Sequence, residues 1–133
     1  MAYRVYEIDG NEFWTLEQFY DHFQSRVLGP VDWGRNLDAL SDVLSGGFGT
    51  PDEGFVLHWV NHQVSRERLG YDETVRQLQL QRQHCHTTAI PQIEAELDRA
   101  RYGSGPTVFD WLVDILKTRE AWSSRGAFEL ILK

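Results

Sequence analysis

Residues 30–44 read PVDWGRNLDALSDVL, a short loop followed by an amphipathic helix. Leucines recur at helical spacing and predict a helix over about 36–45, which Gly46 and Gly47 end. Asp38 and Asp42 are four residues apart, so they lie together on the helix face opposite the leucines. This segment therefore offers one face to a core and an acidic face to solvent.

Strands and helices alternate outward from this helix. Toward the N-terminus, Tyr3–Ile8 reads as a strand and Leu16–Val27 as a helix with Thr15 as its N-cap. Toward the C-terminus, Phe55–Val60 reads as a buried strand, and a further helix precedes a last strand over Ala127–Leu132. The alternation predicts an α/β fold, with a small three-stranded parallel sheet covered by helices.

The stretch from Val64 to Arg101 is polar and rich in Arg and Gln. Turn signals divide it into two predicted helices, Asp72–His84 and Pro91–Arg101. The residues expected to face inward are Val75, Leu78, Ile93 and Leu97. This part of the chain is expected to form a helical layer packed on one side.

Composition and charge limit what the chain can do. Its 133 residues suit one domain, and the sequence has neither a signal-peptide pattern nor the roughly 18 apolar residues of a membrane span. Its single cysteine, Cys85, fits a reducing compartment, so we expect a cytoplasmic protein. Residues 1–57 carry ten acidic and three basic residues, which accounts for the net charge of −7. That imbalance argues against direct nucleic-acid binding and favours a basic partner.

Residues 30–44 resemble the central signature of the barstar family, in which a turn with an aromatic residue and a glycine leads into N-L-D-A-L-x-D. The strand that ends at Asp9-Gly10 and the segment Phe55–Trp59 resemble two further parts of that family. The C-terminal helix and strand agree by pattern. The resemblance covers about two-thirds of the chain and implies a single barstar-like domain over 1–133 with a helical insertion at about 66–105.

The resemblance implies an inhibitor, not an enzyme, that blocks the active site of a basic secreted ribonuclease or another basic toxin protein. In that family an acidic helix and its preceding loop enter the nuclease cleft. The carboxylate that matches Asp42 takes the place of a substrate phosphate, and Asp38 matches the other family acid. The predicted partner-binding residues are Asp32, Trp33, Gly34, Asn36, Asp38, Ser41, Asp42, Gly46 and Phe48.

The chain departs from the family pattern at several of these positions. Ser41, Asp32 and Gly47 stand where the family has aromatic residues, and a family acid near the start of the last helix falls at Pro106. Aromatic residues commonly anchor interfaces, so these changes suggest a different nuclease or substitute anchors. The candidates for substitute anchors are Trp33 and Phe48.

Other functions stay open at this stage. The scaffold could serve a non-nuclease partner through its Arg/Gln-rich insertion, or Asp38, Asp42 and a histidine, His58 or His62, could form the acid–base site of a small hydrolase. The run His84-Cys85-His86 lacks the separated ligand pairs of a structural zinc site. We therefore expect no metal and no cofactor, and the sequence leaves the oligomeric state undetermined.

Overall fold

The alternation of strands and helices is observed along the chain. The computed structural model describes residues 4–44, 54–122 and 128–133, without the side chain of Trp122. Its elements are β1 (Arg4–Asp9), α1 (Leu16–Phe23), α2 (Leu37–Val43), β2 (Phe55–Val60), α3 (His62–Arg68), α4 (Tyr71–His84), α5 (Ile90–Arg101), α6 (Val108–Trp122) and β3 (Phe128–Leu132).

The three strands form one parallel sheet in the order β1-β2-β3. In its register Tyr6 pairs with Leu57, and Leu57 pairs with Leu130. Paired residues in adjacent strands point to the same face, so these three side chains lie side by side. The predicted α/β class and three-stranded parallel sheet are confirmed.

The structure corrects the expectation that the whole of β2 is buried. Its residues alternate, with Phe55, Leu57 and Trp59 buried and Val56, His58 and Val60 only half-buried. The alternation follows the two-residue period of a strand. Among the described residues, helices therefore cover one face of β2 completely and leave its other face partly open.

The core is built on the apolar stripe of α1. All five predicted members of the stripe are buried, namely Leu16, Phe19, Tyr20, Phe23 and Val27. Trp59 of β2 packs against them, with its ring centroid 5.7 Å from that of Phe19 and 5.3 Å from that of Phe109 in α6. Such tilted and edge-on contacts are the favoured arrangements of aromatic rings, so β2 is fixed between α1 and α6.

The first helix ends in a wider turn than the sequence predicts. A π-helical turn over Gln24–Leu28 follows α1, and the Gly29 amide donates to the Gln24 carbonyl at 2.7 Å. Val27 and Leu28 are both buried in this turn. Gly29 leaves the helix with a φ of 69°, a conformation that glycine adopts without steric cost.

Both helices predicted in the polar stretch are confirmed as α4 and α5. Leu78, Ile93 and Leu97 are buried in a second apolar cluster, against which Val75 packs, so the predicted inward residues are confirmed. Trp111 of α6 contacts this cluster and the main core. Nothing in the structure tests the single-domain organisation or the status of 66–105 as an insertion, and both stay predictions.

Two side chains of α4 cap the first turns of other helices. The buried Glu73 carboxylate accepts the Leu16 amide at 2.8 Å, where α1 begins. The neighbouring Thr74 hydroxyl accepts the Val108 amide at 2.9 Å, where α6 begins. The first amides of a helix lack intrahelical acceptors, so α4 completes the hydrogen bonding of two helices that pack on the sheet.

His22 of α1 is an uncharged acceptor inside the fold. Its Nε2 accepts the Asp9 amide at 3.0 Å, which requires an unprotonated nitrogen. Burial, together with the nearby Arg26 charge, lowers the pKa of His22 below its ordinary value. Folding therefore disfavours the protonated form of this imidazole.

We expect the free energy of unfolding to fall as the pH decreases from about 7.5 to 5.5. Below about 6.5 the unfolded chain binds a proton at His22 more readily than the folded chain does, so each step toward lower pH favours unfolding. Denaturant titrations at several pH values measure the slope. In His22→Gln, an amide oxygen replaces Nε2 and does not titrate, so the contribution of His22 to the pH dependence should vanish. An unchanged slope would contradict the claim that His22 accepts this hydrogen bond in its neutral form.

Candidate functional site

The loop before α2 is held from inside the protein by Trp33. Its indole is only 5% exposed, and its ring centroid lies 5.6 Å from that of Tyr20 and 5.7 Å from that of Phe23. The indole Nε1 donates to Gln24 Oε1 at 3.3 Å, and the Gln24 amide donates in turn to the Val31 carbonyl at 3.1 Å. These contacts fix the loop to the end of α1.

The burial of Trp33 bears directly on its predicted role as a substitute anchor, which stays a prediction. A side chain with 5% exposure offers a partner little surface of its own. The sequence reveals an aromatic residue in a loop, but it cannot show that the ring faces the core. Trp33 therefore holds the loop in place, and its neighbours in the loop form the exposed surface.

Gly34 and Arg35 turn the chain into α2. Both have left-handed backbone angles, with φ of 82° at Gly34 and 54° at Arg35. The Arg35 guanidinium forms an ion pair with Asp21 of α1. Asn36 then caps α2, because its Oδ1 accepts the Ala39 amide at 2.7 Å. The start of α2 is thus fixed relative to α1.

The acidic face of α2 points to solvent. Asp38 and Asp42 are exposed, as is Asp32 in the loop, and no salt bridge joins any of them to a described residue. The opposite face of α2 is anchored by Leu40, Val43 and Leu44, which are all buried. These carboxylates are therefore free to meet external cations from a rigid support.

Ser41 lies at the edge of this face, half-buried. Its carbonyl accepts a hydrogen bond from Arg119 Nη2 at 3.3 Å, which ties α2 to α6. Gly46 and Phe48, the two remaining predicted binding residues, lie outside the described residues, as do Asp52 and Glu53. The binding role of every residue in the predicted set stays a prediction.

A groove beside Asp38 is a feature that sequence reasoning missed. It has a volume of about 520 Å³ and lies between α1, the start of α2 and α4. Glu17 lies on one wall. Partial burial raises the pKa of its carboxyl, but the hydrogen bonds from Arg76 and Gln77 together outweigh it, so the pKa lies below its ordinary value. Gln77 belongs to α4, far along the chain from α2, so no local pattern could have placed it here.

The residues considered for other chemistries are separated. His62 Nδ1 lies 2.8 Å from the Lys133 carbonyl at the end of β3, and His58 lies on the partly open face of the sheet. His86 caps a short 3-10 turn over Thr87–Ala89, with its Nδ1 accepting the Thr88 amide. The Cys85 thiol lies 3.6 Å from the Arg82 carbonyl. Within residues 4–44, 54–122 and 128–133 there is no group of three His, Cys, Asp or Glu residues that could hold a metal ion.

The chain is thus a small α/β protein with a three-stranded parallel sheet and a short helix whose carboxylates face solvent. The chain belongs to the barstar (barnase inhibitor) family, whose family model matches residues 3–133. No curated protein matches the chain at a significant level. In the described part of the chain, no helix is both long enough and apolar enough to span a bilayer.

Proposed function

We propose that this chain is an intracellular, cytoplasmic inhibitor that binds and blocks the active site of a basic ribonuclease through α2 and its preceding loop. The observation that supports this most directly is the pair of exposed carboxylates, Asp38 and Asp42, on a helix of a barnase-inhibitor family member. Neither forms a salt bridge to a described residue. The chain acts as a binding protein, not a catalyst, and needs no cofactor.

The electrostatics of this face favour a cationic partner. Asp38 and Asp42 repel each other weakly across one turn of α2. The arginine or lysine side chains that bind substrate phosphates in a ribonuclease cleft would relieve that repulsion and form charge-assisted hydrogen bonds. Because Asp32 extends the same charge into the loop, association should be steered over a distance comparable to the Debye length.

The replaced family aromatics influence which nuclease fits. Ser41 and Asp32 offer less apolar contact area than aromatic side chains, and Trp33 is buried. Binding should therefore depend more on charge and less on aromatic anchors than in family members that keep them. We infer that the natural partner is a basic ribonuclease whose cleft is rich in cationic groups, and barnase itself serves as a comparison.

RNA-cleavage assays test this proposal with barnase and with any ribonuclease that the immobilised chain captures from secreted proteins. We expect one equivalent of the chain to abolish cleavage by at least one of these nucleases. The association rate should fall as NaCl rises from about 0.05 to 0.5 M, because salt screens the steering charges. The chain alone should cleave no RNA.

Two results would contradict the proposal. If the chain captures only proteins without nuclease activity and leaves barnase uninhibited, it serves a different partner. If RNA cleavage follows the purified chain and disappears in Asp42→Ala, the chain is an enzyme.

A further inference from the structure

The groove beside Asp38 joins the acidic helix to α4, and its walls differ in character. Tyr20 and Leu37 supply apolar surface, while Glu17 and Asp38 supply carboxylates. Gln77 and Gln81 of α4 form a further wall, and Arg35 and Asn36 line the groove just before α2. A groove of about 520 Å³ with an apolar part and several oxygen atoms suits a long side chain with a polar end.

Hydrogen bonds fix the direction of one of these polar groups. The Gln77 Nε2 donates to Glu17 Oε2 at 2.6 Å and to Glu73 Oε2 at 3.1 Å. Two carboxylates thus fix the amide nitrogen as a donor, which leaves the Gln77 oxygen as an acceptor. Gln77 itself is buried, so the α4 acceptor that the groove offers is the amide oxygen of the exposed Gln81, beside the carboxylates of Glu17 in α1 and Asp38 in α2.

The charges around the groove have a negative surplus. Arg35 is paired with Asp21, and Arg76 is shared between Glu17 and Glu73. These pairings leave Asp38 without a cation among the described residues. The groove is therefore short of positive charge at its junction with α2.

We propose that this groove receives an arginine side chain of the basic partner, so that α4 forms part of the partner-binding surface. The aliphatic part of an arginine side chain packs on apolar surface, and its planar guanidinium offers five donors to acceptors spread over two walls. A lysine offers three donors from a single point and matches this arrangement less well. The identity of the partner rests on the proposed function, but the guanidinium preference of the groove does not.

The first experiment needs no nuclease. N-acetyl-arginine amide is titrated into the ¹⁵N-labelled chain, with N-acetyl-citrulline amide as its uncharged isostere. We expect NMR shift changes centred on Leu37, Asp38 and Gln81 that saturate with a Kd on the order of millimolar, a realistic value for a ligand of this size. Equal changes with both compounds, or no change at the groove, would overturn the proposal.

Two variants of α4 provide a matched pair. Gln81 lines this groove, whereas Gln79 lines a different groove between α4 and α5. Both side chains are exposed, and neither side chain forms a hydrogen bond to a described residue. Gln81→Lys should abolish the arginine-dependent shifts, while Gln79→Lys and Asp42→Ala should keep them.

The same variants then separate this inference from the proposed function. Against a ribonuclease that the chain inhibits, Gln81→Lys should weaken binding by about 10-fold and Gln79→Lys by less than about 3-fold. If Asp42→Ala weakens binding and Gln81→Lys does not, the inhibitory face is correct and the role of α4 is wrong. If the groove binds arginine but no ribonuclease is inhibited, the proposed function fails and the groove assignment stands.

Discussion

Replacing Glu73 with alanine is expected to lower the free energy of unfolding by about 3 kcal/mol. The buried carboxylate accepts the Leu16 amide at 2.8 Å, the Arg76 guanidinium at 2.6 Å and the Gln77 amide at 3.1 Å. Its removal leaves a buried helix amide without an acceptor and separates α4 from α1. Arg76 is half-exposed and can regain water, so its lost contact contributes little to the total.

Denaturant titration measures this loss, and two further variants interpret it. Glu67→Ala removes an exposed carboxylate of α3 and should change stability by less than about 0.5 kcal/mol. Glu73→Gln keeps the shape and one acceptor oxygen, so its effect should lie between the two. If Glu73→Ala behaves like Glu67→Ala, then α4 does not hold the start of α1 as the hydrogen bonds indicate.

Local periodicity was sufficient to predict most elements of the fold. The stripe from Leu16 to Val27 and the leucines of α2 follow the helical period, and both helices are observed, although the first is α-helical only to Phe23 and continues as the π-helical turn. The helix α3 was not predicted, because Val64 is the only apolar residue in His62–Arg68. Its position depends on a distant contact: a Cβ on Gly10 would lie 2.4 Å from Ser65 Oγ, so only glycine lets α3 pack against the end of β1.

The candidate site likewise has features that the sequence predicts and features that it does not. The spacing of Asp38 and Asp42 was sufficient to place them on one exposed face, because that depends only on helical geometry. The burial of Trp33 and the acidic groove depend on partners elsewhere in the chain, Gln24 and Gln77, that sequence spacing does not specify. Sequence reasoning therefore identified the charged groups but not the supports that hold them.

Asp42→Ala is expected to weaken binding to the inhibited ribonuclease by at least about 2 kcal/mol, roughly 30-fold in Kd. By resemblance to the family, this carboxylate takes the place of a substrate phosphate, so its loss leaves cationic side chains of the nuclease buried without a counter-charge. The effect should appear mainly in the dissociation rate, because a contact at the centre of an interface forms after the charges have steered the encounter. Asp38→Ala should weaken binding less.

The strength of this prediction is that binding and folding should respond in opposite ways to the same change. Asp42 is exposed and without a salt bridge to a described residue, so its removal relieves repulsion with Asp38 and should leave the melting temperature unchanged or slightly raised. Asp114→Ala is a matched control, because it removes an exposed carboxylate from α6 and should change neither property. Calorimetric binding titrations and melting curves of the three alanine variants provide the comparison. Equal affinities for Asp42→Ala and Asp114→Ala would show that the acidic face of α2 is not the inhibitory surface. A large loss of affinity for Asp42→Ala alone, with the fold intact, would place the centre of the interface on α2.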